Sequence, residues 1–323
     1  MTKRLLLFAT LLGLSAGAAH AAYPERPITL IVPFAAGGPT DVVARIVGDH
    51  MSRTLGQQLV VENVTGAGGT TGTTRAAQAA PDGYTIIMGH MGTHGAAPAV
   101  YPNLKYDPLK DFVPIGLAAG TPILIVAKKN FPAKDLKEFV AYAKANSEKL
   151  NEAHAGVGSV SFTTCSLLNS ILGIKPTRVP YQGTGPALND LVGGQVDYMC
   201  DQIVNLTPQI QAGSIKAYGI ATEKRSAALP EVPTTKEGGL PEFQVSAWNA
   251  LFAPKGTPKE VVTKLNGALV KALDDETTRK RLLDLGAEIA DRTGRTPEAL
   301  EKLVTSEIAR WNKVLRAQTA AAK

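Results

Sequence analysis

The 323-residue chain reads as an α/β protein built from two units, each a mainly parallel sheet with helices on both faces. Three observations predict this. Short β-rich apolar runs alternate with apolar stripes at helical spacing. Glycine loops fall where strands pass into helices, the carboxyl-end position at which open α/β sheets bind ligands. And a chain of this length exceeds what one hydrophobic core ordinarily supports, so two domains are the natural expectation.

The first strand is Ile28-Thr29-Leu30-Ile31-Val32, followed by Pro33-Phe34-Ala35-Ala36-Gly37-Gly38-Pro39-Thr40-Asp41. Val42, Val43, Ile46, Val47 and Met51 then form an apolar helical stripe ending near Leu55-Gly56. Paired glycines let the backbone approach a bound group, and Thr40 or Asp41 is placed to cap the helix. The exposed N–H groups and positive dipole end suit an anion. Gly156-Val157-Gly158-Ser159 opens a second stretch of the same kind.

Between them, 59–63 reads as a strand, Thr65–Thr70 as a glycine loop, 73–79 as a helix and 84–88 as a strand. A second series begins at 123–126. It continues through helix 134–145, a helix from Val160, strand 177–181, helix 186–192 and strands 195–200 and 215–222. Leu229-Pro230-Glu231-Val232-Pro233 is a surface loop. Residues 245–254, with Trp248 and Phe252, look like a return strand. Thr257-Pro258-Lys259-Glu260 reads as a capping box, and Thr296-Pro297 opens the last helix. The crossings near 123 and 248 divide the chain into lobe 1 (22–122 plus 249–323) and lobe 2 (123–248), an arrangement suited to a hinge over a ligand cleft.

Lys3-Arg4, an apolar run and Ala19-His20-Ala21 have the layout of a secretory signal peptide, with cleavage expected after Ala21. The expected compartment is the periplasm. The formal charge is +6, from 34 basic and 28 acidic residues that are scattered with no basic stripe among aromatics, which argues against nucleic-acid binding. Cys165 and Cys200 are either one disulfide or two buried thiols.

These residues resemble a known family. Tyr23-Pro24-Glu25-Arg26-Pro27-Ile28, the Pro33–Asp41 stretch, Val61-Glu62-Asn63, Gly66-Ala67-Gly68-Gly69 and Ala80-Pro81-Asp82-Gly83-Tyr84-Thr85 are similar to the Bug-type receptors of tripartite tricarboxylate transporters. So are Val179-Pro180-Tyr181 and Leu229-Pro230-Glu231-Val232-Pro233-Thr234, so the resemblance runs through the whole exported chain. It implies a type II periplasmic-binding-protein fold of two lobes. It also implies capture of an organic carboxylate, held largely through backbone groups and ordered waters, and its delivery to membrane-embedded transporter subunits. Phe34, Gly37, Gly38, Thr40 and Asp41 would hold the carboxylate from one side, and Gly156, Gly158, Ser159 and the Val160 amide from the other. His154, where relatives often carry serine, and Phe162, where they often carry histidine, depart from the pattern.

Neither loop holds Arg or Lys, so recognition by backbone dipoles is expected. Asp41 is expected to cap the helix or to orient a water. His90 and Thr93, with His154, are expected at the variable end of the ligand. A protonated imidazole there would make affinity fall as pH rises through about 6–7. Asp201, Gln202 and Asn205, after a strand, are placed to read a hydroxyl or second carboxylate. Tyr181 and Trp248 are expected in the core or lining the hinge, and Arg45 at the surface or in domain packing. The spacing His90-x-x-x-His94 invites a metal, but Gly89, Gly92 and Gly95 argue for a loop and no further ligand completes a set. No nucleophile elbow, Walker sequence or dinucleotide fingerprint appears. The expected protein is a monomeric receptor without cofactor; the alternative is a secreted α/β enzyme acting on a small acid.

Overall fold

A computed structural model describes residues 23–321, with side chains to residue 315. The signal-peptide reading of 1–21 lies outside the described residues. The first unit alternates β1 (Ile28–Val32), α1 (Pro39–Leu55), β2 (Leu59–Asn63), α2 (Thr70–Ala77) and β3 (Thr85–His90). β1 pairs in parallel with both β2 and β3, so its apolar residues are covered on each face.

After β3 the chain makes a π-helical turn, Met91–Ala96, and the short helix α3 (Ala97–Val100). Sequence reasoning expected a loop here because of the three glycines. The turn forms because His90 caps it: its Nδ1 accepts from the Thr93 amide at 3.1 Å while Thr93 Oγ1 accepts from the His90 amide. Strand β4 (Phe112–Lys128) follows and is the structural spine. Residues Phe112–Pro122 pair with β9 (Ser246–Pro254), and Ile123–Lys128 with strands of the second unit. Only the second half was expected as strand. Pro114, Gly116, Gly120 and Pro122 read as breakers, but register shifts at Pro114/Gly116 and Leu117/Ala119 accommodate two of the interruptions.

The second unit adds α4 (Leu136–Ala145), β5 (Asn151–His154), α5 (Val160–Leu172), β6 (Thr177–Pro180) and α6 (Thr184–Val192). Next come β7 (Tyr198–Gln202), α7 (Ile203–Gln211) and β8 (Ile215–Ile220). After β9, helices α8 (Lys259–Asp274), α9 (Glu276–Asp284) and α10 (Pro297–Ala321) pack back on the first unit. The continuous order is β2-β1-β3-β9-β4-β7-β5-β6, with β8 also on β4. The sheet is therefore mixed: β9, β7 and β8 all meet β4 antiparallel, so "mainly parallel" holds only within each βαβ run. The expected capping box before α8 is absent; Pro258 is the N-cap and the Thr257 hydroxyl donates to the Pro254 carbonyl instead.

Cys165 on α5 and Cys200 on β7 are joined as a disulfide, with Cα atoms 5.2 Å apart. Among the described residues no helix is long and apolar enough to cross a membrane, and no cluster of potential metal ligands occurs.

Candidate functional site

Helices α1, α5, α6 and α7 all begin at one cavity between the two units. Its wall takes residues from the start of each: Gly38, Pro39 and Thr40; Ser159, Val160 and Ser161; Thr184; and Asp201 with Gln202. The first N–H groups of a helix have no partner within it, so four positive helix ends face one space. No Lys or Arg lines that space. Phe34 and Ala155 supply apolar wall, and Phe34 stacks on His90 with ring centroids 4.8 Å apart.

Several loop donors are taken by partners within the same loop or the first turn after it. The Gly37 amide donates to Asp41 Oδ2, Ala155 to Ser161 Oγ, Gly156 to His154 Nδ1, and Phe162 to Ser159 Oγ. What stays free of intrahelical acceptors is the pair of amides at each helix start, Thr40 and Asp41 on one side and Val160 and Ser161 on the other. The N-cap of α1 is Gly38 with no side-chain cap, so neither Thr40 nor Asp41 caps it. Asp41 sits one turn inside, where its carboxylate accepts from Gly37, from Arg45 Nε at 2.9 Å and from Asn63 Nδ2 at 2.9 Å. Burial opposes ionisation of Asp41, but these donors hold its carboxyl below the usual range. Asp41 therefore shapes the loop, with Arg45 and Asn63 as its supports.

Of the residues singled out by sequence, Phe34, Gly38, Thr40, His90, Ser159, Val160, Asp201 and Gln202 come together on the cavity wall. Gly37, Asp41, Thr93, His154, Gly156, Gly158 and Asn205 stand behind it. Thr93 serves the His90 turn, and Asn205 donates to Asp201 Oδ2 at 3.0 Å. His154 packs against Phe162, whose ring also carries the Arg178 guanidinium at 3.9 Å. Arg178 in turn pairs with the buried Glu152 and donates to the Phe162 carbonyl, bracing the first turn of α5. His94 turns away from the cavity and stacks on Phe252 at 4.0 Å. Trp248 is buried, while Tyr181 is only part-buried and its hydroxyl donates to Asp190.

Burial pushes the His90 and His154 imidazoles down to about 4. Both are neutral at pH 6–7, so the expected loss of affinity through imidazolium deprotonation there does not follow. With Nδ1 of His90 accepting, its proton is on Nε2, and the ring faces the cavity as a neutral donor. Burial pushes the Asp201 carboxyl up to about 6, against the Thr184 hydroxyl, the Gln202 amide and the Asn205 amide, which favour the ionised form.

Sequence reasoning missed Thr184, Pro39, Ala155 and Ser161. Thr184 had a legible signal, since Gly183-Thr184-Gly185-Pro186 repeats the glycine-then-proline helix start of Gly37-Gly38-Pro39. It also missed how closely the two units meet around the cavity. The Ala35 amide donates to the Gln182 carbonyl at 2.9 Å. A Cβ on Gly185 would come within 2.5 Å of the Ala36 carbonyl, and one on Gly92 within 2.8 Å of that of Gly158. Thr121 Oγ1 and Asn249 Nδ2 both donate to Gln202 Oε1, at 2.6 and 2.8 Å, knitting β4, β9 and β7 where the chain crosses between units.

Two α/β lobes closed over a cavity ringed by helix starts define a solute-binding protein of the type II periplasmic-binding fold. The chain belongs to the tripartite tricarboxylate transporter family receptors, the TctC family, whose model matches residues 43–319. Among solved structures it is similar to MatC from Rhodopseudomonas palustris with bound malate, at 54% identity and TM-score 0.89 over 91% of this chain and 100% of that one. It is similar also to the periplasmic binding protein BugD, at 45% identity and TM-score 0.89 over 92% and 99%. An R. palustris protein solved with adipate matches at 33% identity and TM-score 0.87 over 92% and 98%. Protein BugT of Bordetella pertussis is 33% identical over 96% of this chain and 94% of its own. The family and these neighbours are receptors, not enzymes.

Proposed function

We propose that this protein is a periplasmic receptor that captures a small organic carboxylate, a di- or tricarboxylate, and delivers it to the membrane-embedded subunits of a tripartite tricarboxylate-type transporter. The observation that carries the reading is the ring of four helix starts around a cavity without a lysine or arginine. Such a site favours an anion through fixed backbone dipoles, and hydrogen bonds to a charged group are worth roughly 1.5–3 kcal/mol each. The neighbours solved with malate and with adipate support the ligand class.

On this reading the first carboxylate lies between the starts of α1 and α5, and the residues of β3 and β7 meet the rest of the molecule. Lobe 1 is 22–122 plus 249–323 and lobe 2 is 123–248, with the hinge where β4 exchanges partners between Pro122 and Ile123. The mature monomer begins after Ala21. Closure of the lobes around the ligand makes the surface that the transporter recognises.

Titration calorimetry of ligand-free mature protein tests this, against succinate, malate, citrate, adipate, glutamate, nicotinate and terephthalate. Saturable one-site binding with an order among the acids is expected. Turnover of a bound acid would instead identify the enzyme alternative, and no heat from any acid in folded, empty protein would reject the carboxylate reading.

A further inference from the structure

Asp201 is fully buried at the end of β7, lines the cavity, and is half satisfied. Its Oδ2 accepts from Asn205, whereas Oδ1 accepts no hydrogen bond from the protein. A buried carboxylate oxygen without a donor is costly, and the residue that carries it lies on the cavity wall. Resting on the carboxylate-receptor reading above, we propose that Asp201 selects ligands that bring their own donor, a hydroxyl on the carbon chain of the acid, which gives its proton to Oδ1.

The surrounding wall favours a hydroxyl over an ammonium. An ammonium presents three donors and no acceptor, whereas a hydroxyl gives one proton and receives others. Among the side chains on the wall, Asp201 Oδ1 is the one acceptor left buried without a partner, since Gln202 Oε1 is taken by Thr121 and Asn249. Donors for the hydroxyl oxygen share the wall: the Nε2 proton of His90 and the hydroxyl of Thr40. An acid without a hydroxyl leaves Oδ1 desolvated and unpaired, which penalises it relative to the hydroxylated analogue of the same length.

The experiment is calorimetry on ligand-free mature protein with matched pairs, L-malate against succinate and 2-hydroxyglutarate against glutarate, repeated on Asp201→Asn. The wild type should prefer the hydroxylated member of the better-binding pair by about tenfold or more. Fluorosuccinate, which keeps an electronegative atom but has no proton to give, should behave like succinate. In Asp201→Asn the preference should collapse, read as the ratio of the two affinities within each matched pair. An equal preference in wild type and variant overturns the proposal while leaving the receptor reading intact, as does a wild type indifferent to the hydroxyl. Tighter binding of aspartate than of malate overturns the choice of hydroxyl. Binding of none of these acids removes the receptor reading and the proposal with it. Should Asp201→Asn fail to fold, the wild-type ranking of malate, succinate, fluorosuccinate and aspartate decides by itself.

Discussion

The hydroxyl of Tyr101, just beyond α3 in the first lobe, lies 2.6 Å from the carbonyl of Val157 in the second. The same hydroxyl lies 2.9 Å from the Ala67 carbonyl of its own lobe, and its single proton goes to the nearer oxygen. The contact exists only while the lobes are together, so it stabilises the closed state specifically. Tyr101→Phe removes it and little else. Ligand affinity should fall by roughly 2–10-fold, the worth of one neutral hydrogen bond, with the melting temperature of the ligand-free protein nearly unchanged. Equal affinity in calorimetry would exclude a role in closure.

Gly185 makes a sharper test of the same seam. It lies in the first turn of α6, where alanine suits a helix better than glycine does. In the closed molecule its added Cβ would meet the Ala36 carbonyl at 2.5 Å and the Gly37 carbonyl carbon at 3.0 Å. Gly185→Ala should therefore keep the cleft ajar: a larger radius of gyration with ligand present, and binding weakened by about tenfold or more, in a protein that melts no earlier than wild type. Normal closure in X-ray scattering would show that the two backbones can separate at no cost.

The disulfide joins the helix whose start lines the cavity to the strand that carries Asp201. Cys165→Ser with Cys200→Ser should lower stability by about 2–4 kcal/mol in chemical denaturation, since a cross-link restricts the unfolded chain. Because Cys200 precedes Asp201 directly, ligand affinity should fall as well. Loss of stability with affinity intact would confine the bridge to a structural role.

Acid should destabilise the ligand-free fold. Burial holds His94 down to about 3 and His90 and His154 to about 4, against 6.5 when exposed. Between those values the unfolded chain binds protons that the folded chain does not, so the stability these groups contribute is whole above about 6.5 and is lost as pH falls. Asp201 works in the other sense, binding a proton near 6 when folded and near 3.8 when unfolded, and offsets part of the loss. The melting temperature should decline from about pH 7 to about pH 4.5. A flat or rising profile would mean that the three imidazoles are not held neutral.

Much of this was legible beforehand. The βα alternation, the glycine loops at Gly37-Gly38 and Gly156–Ser159, and the absence of a cation in either loop follow from residue order alone. Eight of the proposed contact residues do share one wall. The first half of β4 was illegible because Pro114, Gly116 and Gly120 break the local pattern, and only pairing with β9 makes them strand. Thr184 was overlooked although its Gly-Thr-Gly-Pro setting repeats the first loop. Of the two roles expected for Asp41, a helix cap or a water-orienting group, the cap does not form, since its carboxylate is held by Arg45 and by Asn63 from another strand.

Residue order alone carried most of the secondary elements, the position of the loops at the strand ends and the suitability of those loops for an anion. Periodicity and helix-start chemistry act over a few residues, so they can be read from a few residues. Tertiary structure alone decided that four helix starts converge, that Cys165 meets Cys200, that His90 is neutral and that Asp201 has an empty acceptor. Each of these depends on burial and on contacts between segments far apart in the chain, and the free energy of a buried polar group is set by whatever the fold brings to face it.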